Sequence, residues 1–195
     1  MSQHEVLSAV TMKRSTHRAW LILGLTVLAI ALPATCQITV ILSRHAEKAA
    51  SPPKDPPLSS AGEKRANLLA SMLADAGVDA IYVTELQRTQ QSAAPLAART
   101  HVKPTMIPAD DTDQLIKAIR GRQSGVVVVI GHSNKLPAII AGLGGPKVTI
   151  PETEYDNLFV LTVGATQSSL LRMHYGSTIP APPATGMMEP AKRTK

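Results

Sequence analysis

Residues 125–131 read GVVVVIG, and this run constrains the fold more than any other stretch of the chain. A short, unbroken apolar run of β-branched residues suits a strand. A strand with one wet face alternates apolar and polar residues, and this one does not. It fits a sheet covered on both faces, which in practice means parallel strands with helices on either side.

The rest of the chain supplies the expected partners. QITVILS (37–43) and DAIYVT (79–84) read as further short strands. SPPKDPP (51–57) is a Pro-rich loop that cannot be helix interior. SSAGEKRANLLASMLADAG (59–77) reads as a helix. Ser60 with Glu63 makes a capping-box pattern, Gly77 closes the end, and Leu69, Met72, Leu73 and Ala76 recur at core spacing. LQRTQQSAAPLAART (86–100) reads as a second helix, and KPTMIPA (103–109) as a third strand. Asp111 or Thr112 can cap the helix DQLIKAIRG, and SNKLPAIIAGLGG reads as a short helix stopped by glycines. YDNLFVLTV and QSSLLRMHY read as two closing antiparallel strands joined by GATQ. The expected fold is therefore α/β: a three-layer α/β/α sandwich around a mostly parallel sheet. The 195 residues suffice for one domain with a sizeable core.

Charge invites another reading. Lys and Arg number 20 against 14 Asp and Glu, and the pI is near 9.7. The bases are scattered, however, and one Phe, three Tyr and one Trp leave little for base stacking, so nucleic acid is not an expected partner. Residues 1–36 hold three of the bases (Lys13, Arg14, Arg18). A basic start, an apolar run of about 13 residues and small residues at its end describe a secretory signal. Cleavage is expected near Cys36 or Gln37, with an uncleaved membrane anchor over residues 20–35 as the alternative. The expected location is exported, periplasmic or extracellular. The lone Cys36 excludes an intramolecular disulfide and a thiolate zinc cluster. The expected organisation is a signal or anchor over 1–36, a catalytic domain over 37–176, and a disordered tail over 177–195, rich in Pro, Ala, Thr and Lys.

Strand ends carry the chemistry. ITVILS ends on Arg44 and His45, AIYVT leads to Arg88, and VVVVIG ends on His132. In a parallel sheet these four side chains share the carboxyl edge, where ligands bind. Two Arg forks suit phosphate oxygens. Two His suit a nucleophile and a charge-stabilising or proton-donating partner. Helix N-termini near Arg88 and after GHSN would add donors. No set of carboxylates or thiolates is arranged for a metal, so metal-free phosphoryl transfer without a cofactor is expected. Ser133 lacks the second glycine of a nucleophile elbow, which argues against a serine hydrolase.

These motifs resemble the histidine phosphatase superfamily, which includes the phosphoglycerate mutases. LSRHAEK is similar to its Arg-His-Gly signature, and LSSAGEKRANLLASML to the L-(S/T)-x-x-G helix that follows. YVTELQRTQQSAAPLA resembles its second segment, and VVVVIGHSNKLPAII its Gly-His-Ser strand end. EYDNLFVLTV resembles the closing strand of bacterial members, and the chain looks like a small exported RHAEK-type member. The resemblance implies a phosphoglycerate mutase-like fold, with His45 attacking phosphorus and Arg44, Arg88 and His132 forming the phosphate pocket. Ala46 departs from the family's glycine. Family members often carry the general acid after the third strand, which points to Asp110, with Asp111 and Glu47 as alternatives. A protonated carboxyl at any of these would need a raised pKa. The implied activity is hydrolysis of phosphomonoesters on small molecules or phosphoproteins. Few insertions are present from which to build a mutase lid. A non-catalytic phosphate-binding or envelope-anchored module, and a phosphohistidine-protein phosphatase, are the alternatives. Specificity is expected from SPPKDPP and the stretch from Thr149 to Asp156.

Overall fold

The computed structural model describes residues 37–177. The signal or anchor expected over 1–36 and, apart from Ser177, the tail expected over 177–195 lie outside the described residues. Within them, six strands alternate with four helices: β1 (Ile38–Arg44), α1 (Ser60–Leu73), β2 (Val78–Val83), α2 (Gln87–Thr100), β3 (Thr105–Met106), α3 (Thr112–Arg120), β4 (Gly125–Gly131), α4 (Leu136–Gly142), β5 (Asn157–Val163) and β6 (Ser168–His174). No helix among the described residues is long and apolar enough to cross a membrane.

One sheet runs in the order β3-β2-β4-β1-β5-β6. β1 to β4 are mutually parallel, and β5 and β6 are antiparallel. The side chains of β4 divide between two cores. Val127 and Val129 join Val40 and Leu42 under Leu115, Ile119 and Ile139 of α3 and α4. Val128 and Ile130 join Ile41 under Leu69, Leu73 and Leu96 of α1 and α2. Both faces are covered, which is why the run needs no polar residue. Each such side chain contributes roughly 1.5–3 kcal/mol by leaving water. The expected three-layer α/β/α architecture is the observed one.

Local details differ from the sequence reading. α1 is capped by Ser59, whose Oγ accepts the Gly62 N–H at 3.2 Å, not by a Ser60–Glu63 box. Ser59 is fixed there because its own N–H donates to the Glu47 carbonyl at 2.9 Å. Met72 is exposed, because the inward stripe of α1 runs through Gly62, Arg65, Ala66, Leu69 and Leu73. Gly62 is a true requirement: a Cβ there would overlap the Glu47 carbonyl oxygen. β3 shrinks to two residues at the sheet edge. Pro104 and Pro108 flank it and have no N–H to add to a ladder. Asp111 caps α3, accepting the Gln114 N–H at 3.0 Å.

Candidate active site

β1 and β4 are adjacent and in register, with Arg44 opposite Gly131. The next residue of each strand is a histidine, so His45 and His132 emerge side by side. The His45 N–H donates to the Gly131 carbonyl at 2.9 Å. Their ring centroids lie 5.3 Å apart. On the other side of β4, β2 leads through Thr84 into α2, whose first turn carries Arg88. The structure therefore brings Arg44, His45, Arg88 and His132 to one sheet edge.

Each ring is oriented by a neighbour. His45 Nδ1 lies 2.8 Å from the Ala46 carbonyl, which can only accept. Nδ1 thus holds the proton, and Nε2 keeps its lone pair. His132 Nε2 lies 3.1 Å from the Thr84 hydroxyl. Ala46 is buried with Leu58 and Ala66, and its N–H donates to Ser92 Oγ at 2.9 Å. The methyl that departs from glycine fills a small apolar pocket.

The guanidinium of Arg44 is held from one side. Nη1 donates to the carbonyls of Glu152 and Glu154, the latter at 3.1 Å, and the Tyr155 ring lies 4.0 Å beneath it. Tyr155 also meets His45 edge-on, 5.9 Å between centroids. This tyrosine was missed in the sequence, although the loop that carries it was expected to border the site. It arrives because antiparallel β5 starts at the edge where parallel β1 ends. Arg88 Nη1 lies 3.7 Å from Asp55 in the Pro-rich loop. The Nε atoms of Arg44 and Arg88 are both buried without a hydrogen-bond partner, two donors suited to an anion.

Electrostatics keep both rings neutral. Burial, then the charges of Arg44, His132 and Arg88, outweigh the Ala46 hydrogen bond and lower His45 from 6.5 to about 3. Burial, then Arg88, with smaller contributions from Arg44 and Lys135, lowers His132 from 6.5 to about 4, against an opposing effect of Glu85. These shifts fix a stability trend. Between pH 6.5 and about 4 the unfolded chain binds protons at both positions and the folded chain does not. Stability therefore rises with pH through that window and is lost as pH falls through it. Denaturant midpoints from pH 7 to 4 should fall, and a His45→Gln variant should fall less steeply. Parallel curves would contradict the buried-neutral assignment.

The proposed acids fare differently. Asp110 is fully exposed and pairs with Lys135 at 2.8 Å, which lowers its pKa. A general acid needs the opposite shift. Asp111 is the α3 cap. Glu47 is taken up by Arg65, with contacts of 2.7–3.0 Å. Glu85, missed in the sequence, lies close enough to His132 to affect its protonation, and its Oε2 accepts the Ala109 N–H at 2.8 Å. α4, the helix after GHSN, has only seven residues and no side-chain cap. Among the described residues no group of three His, Cys, Asp or Glu side chains is arranged to hold a metal ion.

Comparison with known proteins agrees with this geometry. Residues 40–112 match the family model of the histidine phosphatase superfamily (branch 1). The match ends before His132, which the parallel pairing of β1 with β4 adds. No curated protein matches the chain. Among solved structures, the protein histidine phosphatase SixA complexed with tungstate is similar at 18% identity and TM-score 0.59, covering 70% of this chain and 97% of that one. Mycobacterial hydrolase 1 is similar at 12% identity and TM-score 0.54, covering 69% and 96%. A phosphoserine phosphatase from Entamoeba histolytica, in complex with 3-phosphoglyceric acid, is similar at 14% identity and TM-score 0.50, covering 66% and 95%. At such identities the likeness is one of fold, the phosphoglycerate mutase-like sandwich. The match runs from β1 to the start of α3, and over that stretch the chain is similar to the histidine phosphatase superfamily (branch 1).

Proposed function

We propose that this protein hydrolyses phosphomonoesters in two steps through His45. The observation that carries the reading is the Nε2 lone pair of His45, left open by the Nδ1–Ala46 bond and set among His132 and two guanidiniums with unpartnered Nε donors. Nε2 attacks phosphorus, a P–N bond forms and the ester P–O bond breaks. Arg44, Arg88 and His132 hold the phosphoryl oxygens, where the gathered negative charge is best met by fixed donors. Water then attacks phosphorus, the P–N bond breaks, and phosphate leaves. A neutral His45 is competent without prior deprotonation.

Glu85 is assigned as the proton carrier for the departing oxygen and the attacking water, on its position near His132. Its Oε1 makes no hydrogen bond among the described residues, whereas Glu47 and Asp110 are committed to partners. The Glu85→Gln variant should lose about a hundredfold in kcat/KM on alkyl phosphates, whose leaving groups need the proton, and only a few-fold on an aryl phosphate. Equal losses on both would remove Glu85 from this role.

The two-step scheme is tested by rapid-quench kinetics on an aryl phosphate. The expected result is a burst of the released phenol equal to the enzyme concentration wherever dephosphorylation is the slower step. Tight binding of inorganic phosphate with no turnover of any ester would favour a phosphate-binding module. A phosphohistidine protein is the second substrate reading. It is favoured by the Pro-rich loop beside Arg88, whose residues 51–54 are exposed, and by half-buried Tyr155 against His45, surfaces that a protein substrate could meet. Competition between a phosphohistidine peptide and small esters decides between them. Export, read from residues 1–36, belongs to the proposal and is tested by fractionation of the producing cell.

A further inference from the structure

Behind His132 lies a relay of hydroxyls whose proton directions can be deduced. Thr89, fully buried in the first turn of α2, has its Oγ1 2.9 Å from the Leu86 carbonyl and 3.2 Å from the Thr84 carbonyl. Both are pure acceptors, so the single Thr89 hydroxyl proton goes to a carbonyl. The Thr84 and Thr89 hydroxyl oxygens are 2.9 Å apart, and one must donate to the other. Thr89 has spent its proton, so Thr84 donates. Thr84 Oγ1 then has only lone pairs to offer, and it accepts the Leu86 N–H at 3.3 Å and the His132 ring at 3.1 Å. His132 Nε2 is therefore the donor. The reverse direction would leave the Thr89 oxygen facing the Leu86 carbonyl at 2.9 Å with no proton between them.

The neutral His132 ring thus carries its proton on Nε2, and Nδ1 is bare. Nδ1 makes no hydrogen bond among the described residues. His45 is the mirror case, bare on Nε2. A bare nitrogen suits a nucleophile, but it repels a phosphoryl oxygen. We infer that Thr84 is a positioning residue that couples oxyanion binding to uptake of a proton on Nδ1 of His132. The inference rests on the phosphate-site reading. Groups facing the ring act in both directions: Arg44 from β1, Arg88 from α2 and Lys135 after β4 oppose the added charge, Glu85 favours it, and the neutral His45 ring stands 5.3 Å away between centroids. With its low pKa of about 4 the ring is neutral at pH 8 without an anion. A bound dianion reverses the balance at close range.

Titration calorimetry of the full chain with tungstate tests this. At pH 8 tungstate is the monomeric dianion, neither protonated nor condensed, so its own protonation does not enter the count. In buffers of different ionisation enthalpy the wild type should take up roughly one proton per anion bound. The Thr84→Val variant keeps the side-chain shape but loses the acceptor, so the ring can hold its proton on Nδ1 and uptake should fall towards zero. Thr84→Ser should restore it. His132→Gln, which donates without gaining charge, should bind with no uptake and serves where Thr84→Val fails to fold. Tungstate binding by the wild type without uptake, or unchanged uptake in Thr84→Val, overturns the inference and leaves the phosphate site standing. No tungstate binding by the wild type overturns both.

Discussion

The His45→Ala variant should lose at least about a thousandfold in turnover of an aryl phosphate, the scale seen when a covalent nucleophile is removed. The loss should appear in kcat. Arg44, Arg88 and His132 still surround the anion, so tungstate affinity should change by no more than about tenfold, or roughly 1.4 kcal/mol. Unfolding is not an adequate explanation for such a loss. The ring has one side-chain hydrogen bond, to the Ala46 carbonyl, and its burial as a base disfavours the folded state at low pH. His45→Asn separates the two roles of the ring. Its amide N–H can replace the Nδ1 donor to Ala46, but it offers no Nε2. It should fold as wild type and be equally inactive. Activity within tenfold of wild type in either variant would end the covalent mechanism.

The Arg65→Ala variant should lose about 3–5 kcal/mol of stability, the cost of stranding one member of a buried ion pair. Arg65 is 6% exposed and sits on the inward face of α1. Its Nε and Nη2 grip both oxygens of Glu47 at 2.7–3.0 Å. Its remaining donors reach the Tyr175 and Ser177 carbonyls, each at 2.8 Å. One guanidinium therefore ties three segments: the chain just after His45, α1, and the exit of β6. Removing it leaves a mostly buried carboxylate and two carbonyls unpaired. Arg65→Lys keeps the charge without the fork and should fall in between. Denaturant midpoints measure this, and a loss below about 1 kcal/mol would mean that solvent screens the pair as it does at a surface. Because Glu47 is two residues from His45, a raised KM should accompany the lost stability.

Much of this was legible in the sequence, and the limits have physical causes. The run at 126–130 carried the parallel, double-faced sheet because two faces of burial leave no room for polar residues. The meeting of Arg44, His45, Arg88 and His132 was legible because strand ends in such a sheet converge on one edge. Arg65 could have been found, since a charge at a core position of the α1 stripe must have a partner. Which partner was not legible, because the Glu47 contact depends on how closely Gly62 lets α1 approach. Tyr155 was hidden because its place depends on the antiparallel return of β5. Asp110 followed from the loop after β3, but Lys135, near in space and not in sequence, draws it to the surface. Glu85 and the Thr84–Thr89 relay lie in a tight turn whose hydrogen bonds follow no periodicity.

The most direct test of the account is the site and regiochemistry of the covalent intermediate. The full chain is mixed with a labelled phosphomonoester, quenched in alkaline denaturant, where a phosphorus–nitrogen bond survives, digested and mapped. The geometry predicts label on His45 alone, on Nε2, lost on acidification and absent from the His45→Asn variant. Label on any other residue, label on Nδ1 of His45, or steady turnover with no labelled enzyme under conditions where the burst is seen would contradict it.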